Sequence, residues 1–153
     1  MARTLIRVCT GWWAALASVL FLLWLAAAHF WPASWWLVVH RIGVMDAEAG
    51  KSVRMVVVRE IRRPFLADWV ARVWLVRDDG LELVCTGRGG GAYDVRAVLP
   101  RSVTLAWWTD NSCRALPAGR YMVSTIWRIE RWMMPAAVVR ADSNIFTVSE
   151  RAR

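Results

Sequence analysis

The chain is poor in the residues that most catalytic and metal chemistry requires. Among its 153 residues are two histidines and three cysteines. His29 lies inside a long apolar run, and His40 stands alone on an apolar stretch. A Ser/His/Asp site would have to use His40, and no motif places a nucleophile near it. Neither downstream cysteine belongs to a CxxC, and one histidine beside two cysteines falls short of a zinc set. The glycine-rich run Gly87-Arg88-Gly89-Gly90-Gly91 lacks the GxxxxGK[ST] pattern and a following helix, so it reads as a mobile hairpin loop and not a phosphate cradle. Asp78-Asp79-Gly80 is a turn signature before it is a carboxylate pair. Asp110-Asn111-Ser112 offers only a fragment of the oxygen ligands calcium needs. The expectation is a protein that is not an enzyme, with no catalytic, cofactor-binding or metal-binding residues and no cofactor.

Acidic residues are also absent before Asp46. Into that gap falls the longest feature of the sequence, Val8 to Trp31, 24 residues without Asp, Glu, Lys or Arg. A spanning helix needs about 20 apolar residues, so this run predicts a transmembrane segment. Arg3 and Arg7 precede it, and basic residues are retained on the cytoplasmic side. Trp12 and Trp13 near one end, with Trp31, Trp35 and Trp36 near the other, have the placing of an interfacial aromatic belt. The expected layout is a cytoplasmic segment 1–7, a signal-anchor helix 8–31 and an exported domain 32–153. Localisation follows as a single-pass bacterial inner-membrane protein, N-terminus inside and C-terminal domain periplasmic. The alternative is a signal peptide cut after Ala26-Ala27-Ala28, but such apolar regions run about 7–15 residues. Cys9 has no lipobox-like stretch before it.

Lysine is nearly missing: of 20 basic residues only Lys51 is one, and the formal net charge is +8. No Lys/Arg cluster is dense enough for nucleic acid; Arg59, Arg62 and Arg63 form the only local group. A basic exported domain suits contact with anionic lipid or cell-wall polymer. Cys85 and Cys113 both lie in the exported part, where disulfides persist. Their pairing closes a loop of about 28 residues, a stabilisation of about 3–4 kcal/mol in the chain-entropy description.

After the apolar run the periodicity is 2 and not 3.6. Ala67, Trp69, Ala71, Val73 and Leu75 alternate with Asp68, Arg72 and Trp74. Tyr121, Val123, Thr125, Trp127 and Ile129 alternate with Arg120, Ser124, Arg128 and Glu130. Such alternation marks half-buried strands. Ser102–Trp108 repeats it, and Leu81, Leu83 and Cys85 share a face. Trp35–Val44 and Val53–Val58 are β-branched apolar runs that favour strands. Ser143–Val148 and Ala136–Arg140 complete the set. Asp46–Gly50, Arg62-Arg63-Pro64, Asp78-Asp79-Gly80, Gly87–Gly91, Asp110–Cys113 and Pro117-Ala118-Gly119 punctuate the runs as turns. The prediction is an all-β sandwich of seven or eight antiparallel strands preceded by one transmembrane helix.

Trp69 on an inward strand face and Tyr121 opening a late strand resemble the immunoglobulin-like pattern of a buried Trp on strand C and a Tyr at the start of strand F. The cysteines depart from its usual inter-sheet pair. With one span, the Pro-Ala-Ser-Trp-Trp segment at 32–36 and the ending Ser-Asn-Ile-Phe-Thr-Val at 143–148, the layout is similar to small membrane-anchored proteins of bacteria and phages. That resemblance carries over no functional residues.

Tryptophan is in excess, with 12 in the chain. Alternation sends Trp69, Trp107 and Trp127 inward and leaves Trp74, Trp108 and Trp132 outward. If the third and the late strand pair as C and F do, Val70, Arg72, Trp74, Met122, Ile126 and Arg128 share one outward face. Exposed surfaces rich in Trp, Met and Arg are typical of binding sites. The expected function is a non-catalytic binding module for a protein partner in the envelope. The alternatives are a carbohydrate or cell-wall binder with Trp108 and Trp74 as stacking platforms, or an accessory subunit of a membrane complex.

Overall fold

The structure, a computed structural model, describes residues 2–29, 31–96, 102–132 and 134–150. An N-terminal helix α1 (Ala2–His29) is followed by a 3-10 turn at Ala33–Trp35. Nine strands then follow among the described residues: β1 (Leu37–Val44), β2 (Ala47–Glu48), β3 (Arg54–Ile61), β4 (Phe65–Arg77), β5 (Gly80–Tyr93), β6 (Val103–Thr104), β7 (Gly119–Arg131), β8 (Met134–Asp142) and β9 (Phe146–Ser149). One helical turn, α2 (Leu105–Trp108), follows β6. The strands form two sheets, ordered β1-β3-β6 and β2-β9-β7-β4-β5, with β8 also against β7. The expected all-β architecture is therefore present, with nine strands among the described residues and with β4, β5 and β7 running to 13, 14 and 13 residues.

Register explains how the larger sheet closes. One edge of β7 pairs with β4 from Ala67↔Ile129 to Leu75↔Tyr121. Its other edge is shared, with β9 from Gly119↔Val148 and β8 from Ser124↔Asp142 onward. Ser143 fills the gap between these two: its N–H donates to the Val123 carbonyl at 2.8 Å, and its Oγ accepts from the Val123 N–H at 2.9 Å. The next residue ties the sheets together. The Asn144 amide accepts from the Val44 N–H at 2.8 Å and donates to the Val44 carbonyl at 3.0 Å, standing in for a strand partner at the end of β1.

The core is filled by the odd positions of β4 and β7 facing β1 and β3. Ala67, Ala71, Val73, Tyr121, Val123, Trp127 and Ile129 are buried against Leu37, Ile42, Met55, Phe146 and Val148. Trp127 is 0% exposed and is the largest of these side chains. The Tyr121 hydroxyl donates to the Pro117 carbonyl at 2.9 Å, so a ring in the core keeps its polar tip satisfied by the preceding turn. Cys85 and Cys113 form a disulfide, with Cα atoms 5.9 Å apart, joining β5 to the loop after α2.

Three expectations are corrected. The run 102–108 is not a strand throughout. Strand β6 stops at Thr104, whose hydroxyl accepts from the Trp107 N–H at 3.2 Å and caps α2. Changing the period from 2 toward 3.6 at that point exchanges the two indoles: Trp107 is 61% exposed and Trp108 3%. The glycine run is not a hairpin loop. Gly87, Gly89, Gly90 and Gly91 lie inside β5, opposite Ala71, Trp69, Asp68 and Ala67. A Cβ on Gly87 would collide with the Thr109 backbone, and one on Gly89 with the Trp69 ring. These glycines permit close approach of α2 and an indole to the strand.

Among the described residues no helix is long and apolar enough to cross a membrane. The side chains described in α1 are those of residues 12–26, all exposed. Residues 8–11 and 27–30 of the expected 8–31 span, with Arg3 and Arg7, therefore lie outside the described side chains.

Candidate functional site: the outer face of the large sheet

Strands β4 and β7 lie antiparallel and in register, which brings the six residues expected on the outward face together. Val70 is opposite Ile126, Trp74 opposite Met122, Arg72 opposite Ser124, and Asp68 opposite Arg128. Directly opposed residues share a face with Cβ atoms about 4.5–5.5 Å apart. Val70, Trp74, Met122 and Ile126 are half-buried, while Arg72 and Arg128 are exposed. The opposite face of the same strands is the core, so these side chains point away from β1 and β3.

Neighbouring strands extend the face in both directions. Across β4, Arg88 opposes Val70, Thr86 opposes Arg72 and Leu83 opposes Trp74. Across β7, Arg140 opposes Ile126 and Val138 opposes Arg128. The result is an apolar strip of Trp74, Met122, Val70 and Ile126, flanked by Leu83 and Val138, with Arg72, Arg88, Arg128 and Arg140 at neighbouring register positions. Arg140 lies 3.7 Å from the Asp142 carboxylate. Arg72, Arg88 and Arg128 form no ion pair among the described residues. At the middle of the face Ser124 is only 1% exposed, and its Oγ is buried without a hydrogen-bond partner. Its neighbours along the strand and across it are Met122, Ile126, Arg72 and Asp142, so the longer side chains close over it.

Arg88 and Arg140 were not anticipated. The glycines around Arg88 carry no side-chain period and hide its strand; its position two residues after Thr86 is the signal that places it. The other candidates fare differently. Trp108, expected as an outward stacking platform, is buried and donates its Nε1–H to the Thr125 hydroxyl at 3.1 Å. Its ring stacks on Trp69 at 4.9 Å between centroids. It has no free face for a sugar. His40 sits exposed at a bulge in β1, 3.6 Å from the Glu60 carboxylate. Among the described residues no three His, Cys, Asp or Glu side chains come together as a metal-binding group.

A second polar locus lies between the sheets. The Arg59 guanidinium carbon is 4.9 Å from the Tyr93 ring centroid and 5.9 Å from that of Trp108. Burial pushes Arg59 below its ordinary range, opposed by Tyr93; burial pushes the Tyr93 hydroxyl up, opposed by the Arg59 charge. Nothing in the local sequence marks Arg59 for this position.

No protein-family model matches the chain, and no curated protein matches it.

Proposed function

We propose that this chain is a membrane-anchored, extracytoplasmic immunoglobulin-like module that binds a protein partner through the outer β4–β7 face, without catalysis. The observation that carries this reading is the in-register grouping of Val70, Trp74, Met122 and Ile126 among Arg72, Arg88 and Arg128. A partner that seats apolar side chains on Trp74 and Met122 and presents acceptors to the arginines would use it fully.

Three further observations support the larger picture. Separating β1-β3-β6 from β4, β5 and β7, and bonding the Tyr121 hydroxyl to the turn before β7, suit an immunoglobulin-like order of strands. The Cys85–Cys113 disulfide suits an oxidising compartment. The apolar side chains of α1 from Trp12 to Ala26 are all exposed, as a helix placed in lipid requires. The carbohydrate alternative loses its main support with the burial of Trp108.

The test is the double variant Trp74→Ala/Ile126→Ser in the full chain, expressed in its own membranes. The expected result is an unchanged fold and the loss of a co-purifying protein that the unaltered chain retains. An unchanged set of co-purifying proteins overturns the reading.

A further inference from the structure

The end of the sandwich next to α1 carries a second surface, distinct from the β4–β7 face. The chain leaves α1 through Trp31 and the 3-10 turn, and Trp31 and Trp35 pack with ring centroids 5.0 Å apart. Arg63 lies over the Trp35 ring at 4.8 Å. The Arg62 N–H donates to the Trp36 carbonyl at 2.9 Å, and its guanidinium reaches the Ser34 carbonyl at 3.4 Å. From the other sheet, Arg131 at the end of β7 donates to the Pro135 carbonyl at 2.7 Å and to the Trp31 carbonyl at 3.5 Å. Its guanidinium also lies 5.9 Å from the Trp36 ring centroid. The β7–β8 turn is thereby held beside the point where the chain leaves the helix.

That turn displays Trp132. It is 82% exposed, the most exposed large apolar side chain among the described residues. Its chain neighbour bonds the carbonyl of Trp31, so its Cα lies within about 4 Å of the Arg131 Cα along the backbone. Leaving an indole in water is unfavourable, and an amphipathic ring is most stable at the boundary between hydrocarbon and headgroups. Acidic groups at this end are few: Glu60 is engaged by Arg62 at 3.2 Å and lies 3.6 Å from His40, and Glu130 is on β7 beside Arg131.

We infer that the β7–β8 turn is a membrane-docking element: Trp132 seats in the headgroup layer of the bilayer that receives α1, together with Trp31 and Trp35, while Arg62 and Arg63 face its phosphates. This rests on the anchor part of the reading above and not on the partner-binding face. The contact fixes the sandwich against the bilayer and points the β4–β5 hairpin, with Asp78 and Asp79 at its tip, away from the lipid. A bilayer is the occupant favoured here because the exposed apolar side chains of α1, from Trp12 to Ala26, precede this end in the chain, and Trp31 packs on Trp35 here.

The experiment is photo-crosslinking of the full chain in vesicles of phosphatidylethanolamine and phosphatidylglycerol, with benzoylphenylalanine at position 132, 107 or 20 in separate samples. Trp107 is the control, an exposed indole beside Arg54 at the opposite end of β3. Lipid adducts from 132 and none above background from 107 support the inference. Lipid adducts from 20 without any from 132 overturn it while leaving the anchor intact. Absence of lipid adducts from both 20 and 132 overturns it along with the anchor. Adducts from 132 but not 20 overturn it, because no bilayer then receives α1. A protein adduct from 132 in place of lipid overturns the inference.

Discussion

Strands β4 and β7 present two faces built on one register, and the faces have opposite fates. Inward, Ala71, Val73, Val123, Thr125, Trp127 and Ile129 are at 0% exposure. Outward, Val70, Trp74, Met122 and Ile126 carry comparable apolar bulk but stay half-exposed, with arginines set among them. Folding uses the first face completely and the second only in part. Apolar side chains that the fold does not consume remain available for a partner.

This contrast predicts that substitutions on the two faces separate stability from binding. The largest effect belongs to Trp127→Ala, expected to cost about 3–5 kcal/mol as a buried aromatic truncation. Equilibrium urea unfolding of the full chain in detergent measures it; a cost below about 1 kcal/mol would mean that the inward face is far looser than its burial indicates. Next, Cys85→Ser/Cys113→Ser should lower stability by about 3–4 kcal/mol, the chain-entropy value for a loop of this length. The same effect should follow on adding reductant to the unaltered chain.

Smaller costs test the close approaches. Gly87→Ala should destabilise by about 1–3 kcal/mol, because the new methyl meets the Thr109 backbone and not a flexible side chain. Gly91→Ala, where nothing lies within 4 Å, is the matched control and should be close to neutral in the same assay. Tyr121→Phe should cost about 1 kcal/mol through loss of the bond to Pro117. On the outer face, Trp74→Ala should change stability by far less than Trp127→Ala and abolish partner binding, which sharpens the contrast most.

The sequence was most informative where side chains alternate. Strands β4 and β7 announce themselves, and pairing them brings Val70, Trp74, Met122 and Ile126 together as the alternation implied. The cysteine pair was legible because Cys85 and Cys113 are the two cysteines that follow the apolar run. Three features were not. Glycine carries no side chain, so Gly87 to Gly91 could not display the period of a strand, and Arg88 went unplaced with them. The capped turn at Leu105–Trp108 has the same apolar content as a strand end, and only the Thr104 cap distinguishes them; the exchange of Trp107 and Trp108 follows from that one residue. The gathering of Trp31, Trp35, Arg63 and Trp132 at one end joins positions about a hundred residues apart in the chain, and no local pattern reports such a meeting.

The measurement that bears most directly on the partner-binding face is photo-crosslinking in intact membranes with the probe at position 74 and, as control, at Asp79 in the far β4–β5 turn. The account predicts a discrete protein adduct from position 74 and none from position 79. Lipid, or no adduct, from position 74 in a folded chain would contradict it.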